Sequence, residues 1–445
     1  MLRDNLWYNF GAAAVTEVMQ CLDEGRDAAA YMAEAREIDA MELGSPERLA
    51  RLGAFLDRMA LLPDPGSAAE PSTYPEILAA RGPGRALPPC ELDREALWDR
   101  IYGAWLGRFA GNLLGKPIEG MSRPKILRLA QGTNNYPFDR YISSEAPEEV
   151  LRETGLLALH GNGWDLIDKL DHCPADDDTS YTVLSLKLVE QKGRDFQPED
   201  VGEAWLANIP ALNVCTAEHA AYLNLMNKRY PPESATYHNP YREWVGAQIR
   251  TDFYGYICPG DPERAAGMGF RDGAISHVRN GLYGGMWVSA MNAAAFCCGD
   301  AEEIIEQGLA QVPAGCRLAR DVRRVIGWHR QGLPLEDAIA KIYEQYPENG
   351  FHNAVHTLSN AMIVALGLLY GEGDFARSIG IAVVAGYDTD SNGATVGSIA
   401  GLMTGGKRMP ARFVEPLRDT VDTSVMGYNR MSIRELADRT LALLP

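Results

Sequence analysis

The 445-residue chain has no CxxC pair among its eight cysteines, at positions 21, 90, 173, 215, 258, 297, 298 and 316, and they are too sparse for a disulfide scaffold. Cysteine-built zinc is therefore disfavoured, and buried reduced thiols are expected. Basic residues are in deficit: 42 Lys and Arg face 60 Asp and Glu, a formal charge of -18, with no local basic patch. Such a balance repels phosphate backbones and anionic lipid, which argues against nucleic-acid and membrane-surface binding. Long apolar runs are missing too. AMIVALGLLYG at 361–371 is too short to span a bilayer, and MLRDNLWYNFGAAAV is broken by charge and Asn where a secretion signal needs an apolar core. A cytoplasmic location is expected.

What the chain does have is helical periodicity. Apolar residues recur at helical spacing over 92–115, 179–192, 199–207, 215–228, 262–279, 284–298, 301–311, 317–331, 335–345, 353–370, 374–385, 391–404 and 433–443. Alternating strand-like runs are scarce, so the chain reads as all-α, with its polar loops available for chemistry. Residues 5–61 share the helical spacing and end in PDPGSAAEPSTYP, and a second breaker-rich stretch, RGPGRALPPCELD, occupies 81–93. The expected organisation is a small helical extension over residues 1–90 and one all-α domain over 91–445.

Glycines fall at 103, 107, 111 and 115 in one predicted helix and at 393, 397, 401 and 405 in another. Interior glycine costs a helix roughly 1 kcal/mol relative to alanine, so each run needs a compensation, and close backbone approach is the natural one. Arg108 interrupts the first run, which removes the membrane reading of GxxxG. The two helices are expected to pack tightly on each other, so that the segment after residue 115 lies near the segment before residue 393. Two separate core helices that merely suit glycine are the alternative.

PADDDTSYTVLSL sets Asp176, Asp177 and Asp178 directly before an apolar helical run. One aspartate there is an ordinary N-cap that complements the helix dipole. Three adjacent carboxylates raise one another's pKa, and only one can cap, so a hard divalent cation is the natural way to remove the conflict. GYDTDSNGATVGSIAG repeats the pattern about 210 residues later, with Asp388, Asp390 and Ser391 opening another helix. Because a helix N-terminus repels cations, a metal placed there needs surplus carboxylate, and both stretches provide it.

GAWLGRFAGNLLGKPIEG, ADDDT and GYDTDSNGATVGSIAG, in this order, resemble the ADP-ribosylglycohydrolase superfamily over roughly residues 94–442. The resemblance implies a compact all-α domain with two divalent ions, Mg²⁺ or Mn²⁺, in a central cleft, cleaving a glycosidic bond at the anomeric carbon of a ribose. It implies metal ligation by Asp176, Asp177, Asp178, Asp388, Asp390 and Ser391, and it matches Glu119 to the acidic residue that closes the family's first motif. The implied catalytic residues are Asp177 or Asp178 as general base and Glu119 in gating or proton transfer. The implied substrate is an ADP-ribosylated protein or a small ribosylated molecule. Three departures stand out: Asn112 where many members have Asp, Asp176 where Thr or Ser is usual, and Ser391 for a common Thr. With the N-terminal extension, they point to a divergent branch.

The Gly-, Pro- and aromatic-rich stretch 239–263 reads as a substrate-facing loop, and its GAQIR resembles a glycine-rich family segment, so Gly246, Gln248 and Arg250 are candidate substrate contacts. Arg250 suits a phosphate, or a carboxylate partner; Tyr254 or Tyr256 suits stacking on a base. Asn112, His277, His356 and Tyr387 complete the candidate substrate-binding set, His277 having a locally hydrogen-bonded alternative. His352 and His356 lie at i and i+4, a possible metal pair, but the oxygen-rich clusters favour harder ions than zinc. The competing readings are an N-ribosyl hydrolase of a small nucleoside or nucleotide, and a non-catalytic crystallin-like member of the fold. The intact set of mutually repelling carboxylates speaks against the non-catalytic one.

Overall fold

The computed structural model describes residues 11–84, 86–161, 163–348 and 350–444, and among these it contains 24 α-helices and one two-stranded antiparallel sheet, Thr420–Asp422 against Arg430–Ser432. Every residue of the helices Arg279–Ala294 and Thr357–Tyr370 is buried, as their all-round apolar sequences require. Peripheral helices such as Arg317–Arg330 bury one stripe only. No described helix is long and apolar enough to cross a membrane.

The helices Arg94–Gly115 and Thr389–Thr404 form the centre of the fold, running antiparallel with their glycines face to face. Gly103 meets Gly401, Gly107 meets Gly397 and Gly111 meets Gly393, and a Cβ on Gly111 would fall 1.9 Å from the Gly393 carbonyl oxygen. Only glycine permits this approach, and the dispersion gained along the seam offsets the propensity cost. At the end of the seam Thr389 Oγ1 donates to the Gly115 carbonyl at 2.9 Å. The segment after 115 is thereby fixed against the turn before 393.

Three predicted helices have different bounds. The run 262–279 ends at Gly273, and the next helix starts at Arg279 rather than 284, after a turn that leaves Arg279 at φ +47°. The run 353–370 is two helices, Phe351–Ala354 and Thr357–Tyr370, because His356 caps the second: its Nδ1 accepts the Leu358 N–H at 3.2 Å. Arg123–Gly132 and Glu148–Thr154 are additional helices that the periodicity did not single out.

Near the N-terminus, Ala13–Asp23, Met32–Asp39 and Pro46–Ala60 pack around their own small core of Ala14, Val18, Cys21, Phe55 and Met59. Ile77, on Tyr74–Ala80, already belongs to the main core. Ions join the two parts. Arg242 pairs with Glu17 at 2.8 Å and Glu24 at 2.7 Å, and Arg317 bridges Glu70 at 2.7 Å and Glu243 at 2.8 Å.

Candidate active site

The seam brings three acidic segments to one cleft of about 490 Å³, lined by Glu119, Asp176, Asp177, Asp178, Asp388 and Asp390. The helix Asp177–Lys192 starts at this cleft with Asp176 as its N-cap, one carboxylate oxygen accepting the Asp178 N–H at 3.3 Å. Arg108, wholly buried, donates to the Asp178 carbonyl at 2.8 Å and pairs with Asp252 at 2.8 Å, which locks the turn to the seam helix. At the second turn Asp388 occupies the N-cap position without a capping bond, so its carboxylate is left for the cleft. Ser391 Oγ donates to Asp388 Oδ2 at 2.8 Å and orients it.

Two acidic triads result. Oxygens of Asp176, Asp178 and Asp390 lie within 4.8 Å of one another, as do oxygens of Glu119, Asp388 and Asp390, so Asp390 belongs to both. Asp178 Oδ1 is buried and has no hydrogen-bond partner. An all-oxygen donor set with an unsatisfied buried carboxylate oxygen fits a hard divalent cation.

The electrostatics lead to the same place. Burial, then the Asp390 charge, pushes Asp178 well above the usual carboxylate range, and burial with Asp176 does the same to Asp177. Burial, then Glu119, raises Asp390 and takes Asp388 up to about 7. Asp176 is the exception: burial opposes its ionisation, but Lys116 and hydrogen bonds outweigh that and hold its carboxyl low. Lys116 Nζ lies 2.6 Å from Asp176, 3.0 Å from Glu119 and 3.4 Å from Asp390, and these charges raise its pKa despite burial. One ammonium does not neutralise six carboxylates.

The sequence model described as ADP-ribosylglycohydrolase matches residues 93–445. The chain belongs to the ADP-ribosylglycohydrolase family. A solved structure titled as an ADP-ribosylglycohydrolase-related protein complex is similar to this chain at 18% identity and a TM-score of 0.45, covering 78% of this chain and 98% of its own. No curated protein matches the sequence.

Of the substrate contacts expected from the sequence, Gly246 and Tyr387 line the cleft. Gly246 admits no side chain because the Glu218 carboxylate packs against it. Tyr387 holds a φ of +59° beside Asp388, with its ring stacked on Tyr343 and its hydroxyl donating to the Tyr346 carbonyl. Asn112 lies behind the cleft and donates to Asp178 Oδ2 at 3.3 Å, so it positions an aspartate rather than contacting substrate.

The remaining expected contacts are not among the residues that line the cleft. Arg250 is fully buried, at 2.6 Å from both Glu218 and Asp272, which leaves it no reach to a phosphate. Tyr254 donates to Asp272 at 2.7 Å and Tyr256 bonds Ser398; both are inaccessible to a base. Gln248 is buried outside the lining, and His277 is buried with its Nδ1 on Ser276 at 2.8 Å. His356 is likewise buried and outside the lining.

The His352 and His356 pair converges on Asp23 of the extension, with Nε2 to Oδ2 distances of 2.7 and 3.8 Å. His352 Nδ1 accepts the Trp244 indole N–H at 3.1 Å and His356 Nδ1 accepts the Leu358 N–H. With Nδ1 accepting, each neutral ring carries its proton on Nε2, where a metal would have to bind; His352 Nε2 bonds Asp23 at 2.7 Å, whereas the buried His356 Nε2 has no hydrogen-bond partner.

Sequence reasoning missed Lys116, His160 and Phe351. His160 lines the cleft, with Nδ1 2.6 Å from Asp165 and Nε2 3.2 Å from the Glu119 carbonyl. Phe351 lines it too and is 38% exposed. Lys116 lies within the first motif, three residues before Glu119, where an i,i+3 pair is readable.

Proposed function

We propose that the protein hydrolyses the glycosidic bond at C1 of a ribose in an ADP-ribosyl adduct, with Mg²⁺ or Mn²⁺ held by carboxylates of the two acidic triads that share Asp390. The observation that carries this reading is the pair of acidic triads sharing Asp390 within one cleft. When bound, such an ion binds ribose hydroxyls and lowers the pKa of water. Asp177 is the one member of the Asp run whose residue is not fully buried, so it is placed to accept a proton from water in the cleft. Glu119, at the mouth with its side chain 34% exposed, would close over the sugar. The carboxylates around C1 would stabilise oxocarbenium character as the leaving group departs. Phe351 offers an aromatic face for the base of the nucleotide.

The test is a panel of ADP-ribosyl-arginine, ADP-ribosyl-serine, NAD and simple nucleosides, assayed for released ribose product with wild type and Asp388→Ala. Release from the adducts, lost with EDTA, restored by Mn²⁺ and abolished in the variant, is the expected result. Turnover confined to nucleosides would move the assignment to a small-molecule ribohydrolase. Turnover that survives Asp388→Ala would show that the assigned cleft is the wrong one. No turnover and no metal-dependent thermal shift would favour the non-catalytic reading.

A further inference from the structure

Of the four carboxylate oxygens of Asp176 and Asp178, two accept hydrogen bonds, one has only an ion contact and one has no partner. Asp176 Oδ1 accepts the Asp178 N–H at 3.3 Å, and its Oδ2 is 2.6 Å from Lys116 Nζ. Asp178 Oδ2 accepts the Asn112 amide at 3.3 Å and Asp178 Oδ1 has no partner, while Asp176 Oδ2 has only its ion contact with Lys116 and no hydrogen bond. Lys116 completes this arrangement: its ammonium has three N–H groups, and three carboxylates, Asp176, Glu119 and Asp390, lie within 3.4 Å. These come from both triads, so the ammonium sits between them. Its side chain is 17% exposed, and the short helical turn Lys116–Ile118 roots it at the end of the glycine seam.

We propose that Lys116 is a resident cation that takes the place of one divalent ion, so that the cleft binds one Mg²⁺ or Mn²⁺, at Glu119, Asp388 and Asp390, instead of two. On this reading Asp176 is the counter-ion of Lys116 and not a metal ligand. A tethered ammonium cannot be lost to chelation or dilution, so half of the cleft keeps its cation whatever the metal supply. The inference rests on the reading that the cleft holds divalent metal, and the experiment separates the two.

EDTA-stripped, full-length protein is titrated with MnCl₂ by calorimetry, and bound Mn is counted independently by elemental analysis after gel filtration. Wild type and Lys116→Arg should each bind one Mn²⁺ per chain, and Lys116→Met should bind two. Circular dichroism checks that each variant is folded, and if Lys116→Met is not, the wild-type count still decides. Two Mn²⁺ per chain in wild type would overturn the proposal while leaving the metal-centre reading intact. One Mn²⁺ in both wild type and Lys116→Met would overturn the role given to the lysine. No Mn²⁺ uptake by any form would sink the metal-centre reading and this proposal with it.

Discussion

Replacing Gly111 by alanine puts a carbon 1.9 Å from the Gly393 carbonyl oxygen and 2.4 Å from its carbon. Both clashing atoms are backbone, so no rotamer change relieves the overlap. Restoring a separation of about 3 Å parts the two helices by about 1 Å, and a gap of that size forfeits roughly a quarter to a half of each dispersion contact across it. Overpacking of this kind costs about 3 kcal/mol, of which alanine's better helix propensity returns about 1 kcal/mol. The expected net loss is about 2 kcal/mol. Gly327, on the helix Arg317–Arg330, is the control: nothing lies within 4 Å of an added carbon, so Gly327→Ala should stabilise by up to about 1 kcal/mol. Thermal unfolding followed by circular dichroism compares the three proteins under one condition. Because the seam ends against Thr389, Gly111→Ala should also weaken Mn²⁺ binding. A Gly111→Ala protein as stable as wild type would refute the reasoning that close backbone approach is what the glycines are for.

Arg250→Met should cost about 3–5 kcal/mol by stranding Glu218 and Asp272 in the core, yet leave KM unchanged at a permissive temperature; a raised KM with full stability would restore Arg250 as a substrate contact. The hydrogen bond from His160 to Asp165 raises the histidine above its ordinary 6.5. Glu119 adds to the rise and Lys116 opposes it, so this pair contributes stability at pH below about 6.5 that is lost as pH climbs through the folded-state pKa. The difference in melting temperature between wild type and His160→Gln should accordingly shrink from pH 6 to pH 9, and a constant difference would contradict the pairing. Asp23→Asn should destabilise by about 1 kcal/mol or less, since the Asp23 side chain is 41% exposed, and should leave bound zinc undetectable before and after by elemental analysis.

Much of the architecture was legible because it rests on local chemistry. Apolar periodicity located the central helices, since a helix that is buried all round has little choice of register. The four-residue glycine spacing foretold the seam, because nothing but a second backbone compensates so much lost propensity. The acidic turns were legible for a similar reason: Asp176 could cap, but its neighbours could not, and their surplus charge required an explanation. The candidate contacts that lie outside the cleft lining share a different cause. Arg250, Tyr254 and His277 look the same in sequence whether they face a ligand or a buried partner, and the partners Glu218 and Asp272 are supplied by distant segments. The break at His356 was hidden because a capping imidazole has no helix-breaking signature of its own. Lys116 passed unnoticed because its carboxylates at 176 and 390 come from motifs far along the chain.

The ionic joint between the extension and the rest of the molecule bears on how this protein is best handled. A polypeptide begun at residue 93, where the family match starts, would keep Arg242 and lose both of its anions, Glu17 and Glu24. Arg317 would lose Glu70 and fall back on Glu243 alone. Exposing or stranding those guanidinium groups costs several kcal/mol, a large share of any domain's margin. Trimming to the family-matched core would thus remove the counter-charges of Arg242 and one of those of Arg317, and the ninety or so residues before it would be expected to act as an intramolecular folding partner more than as an appendage.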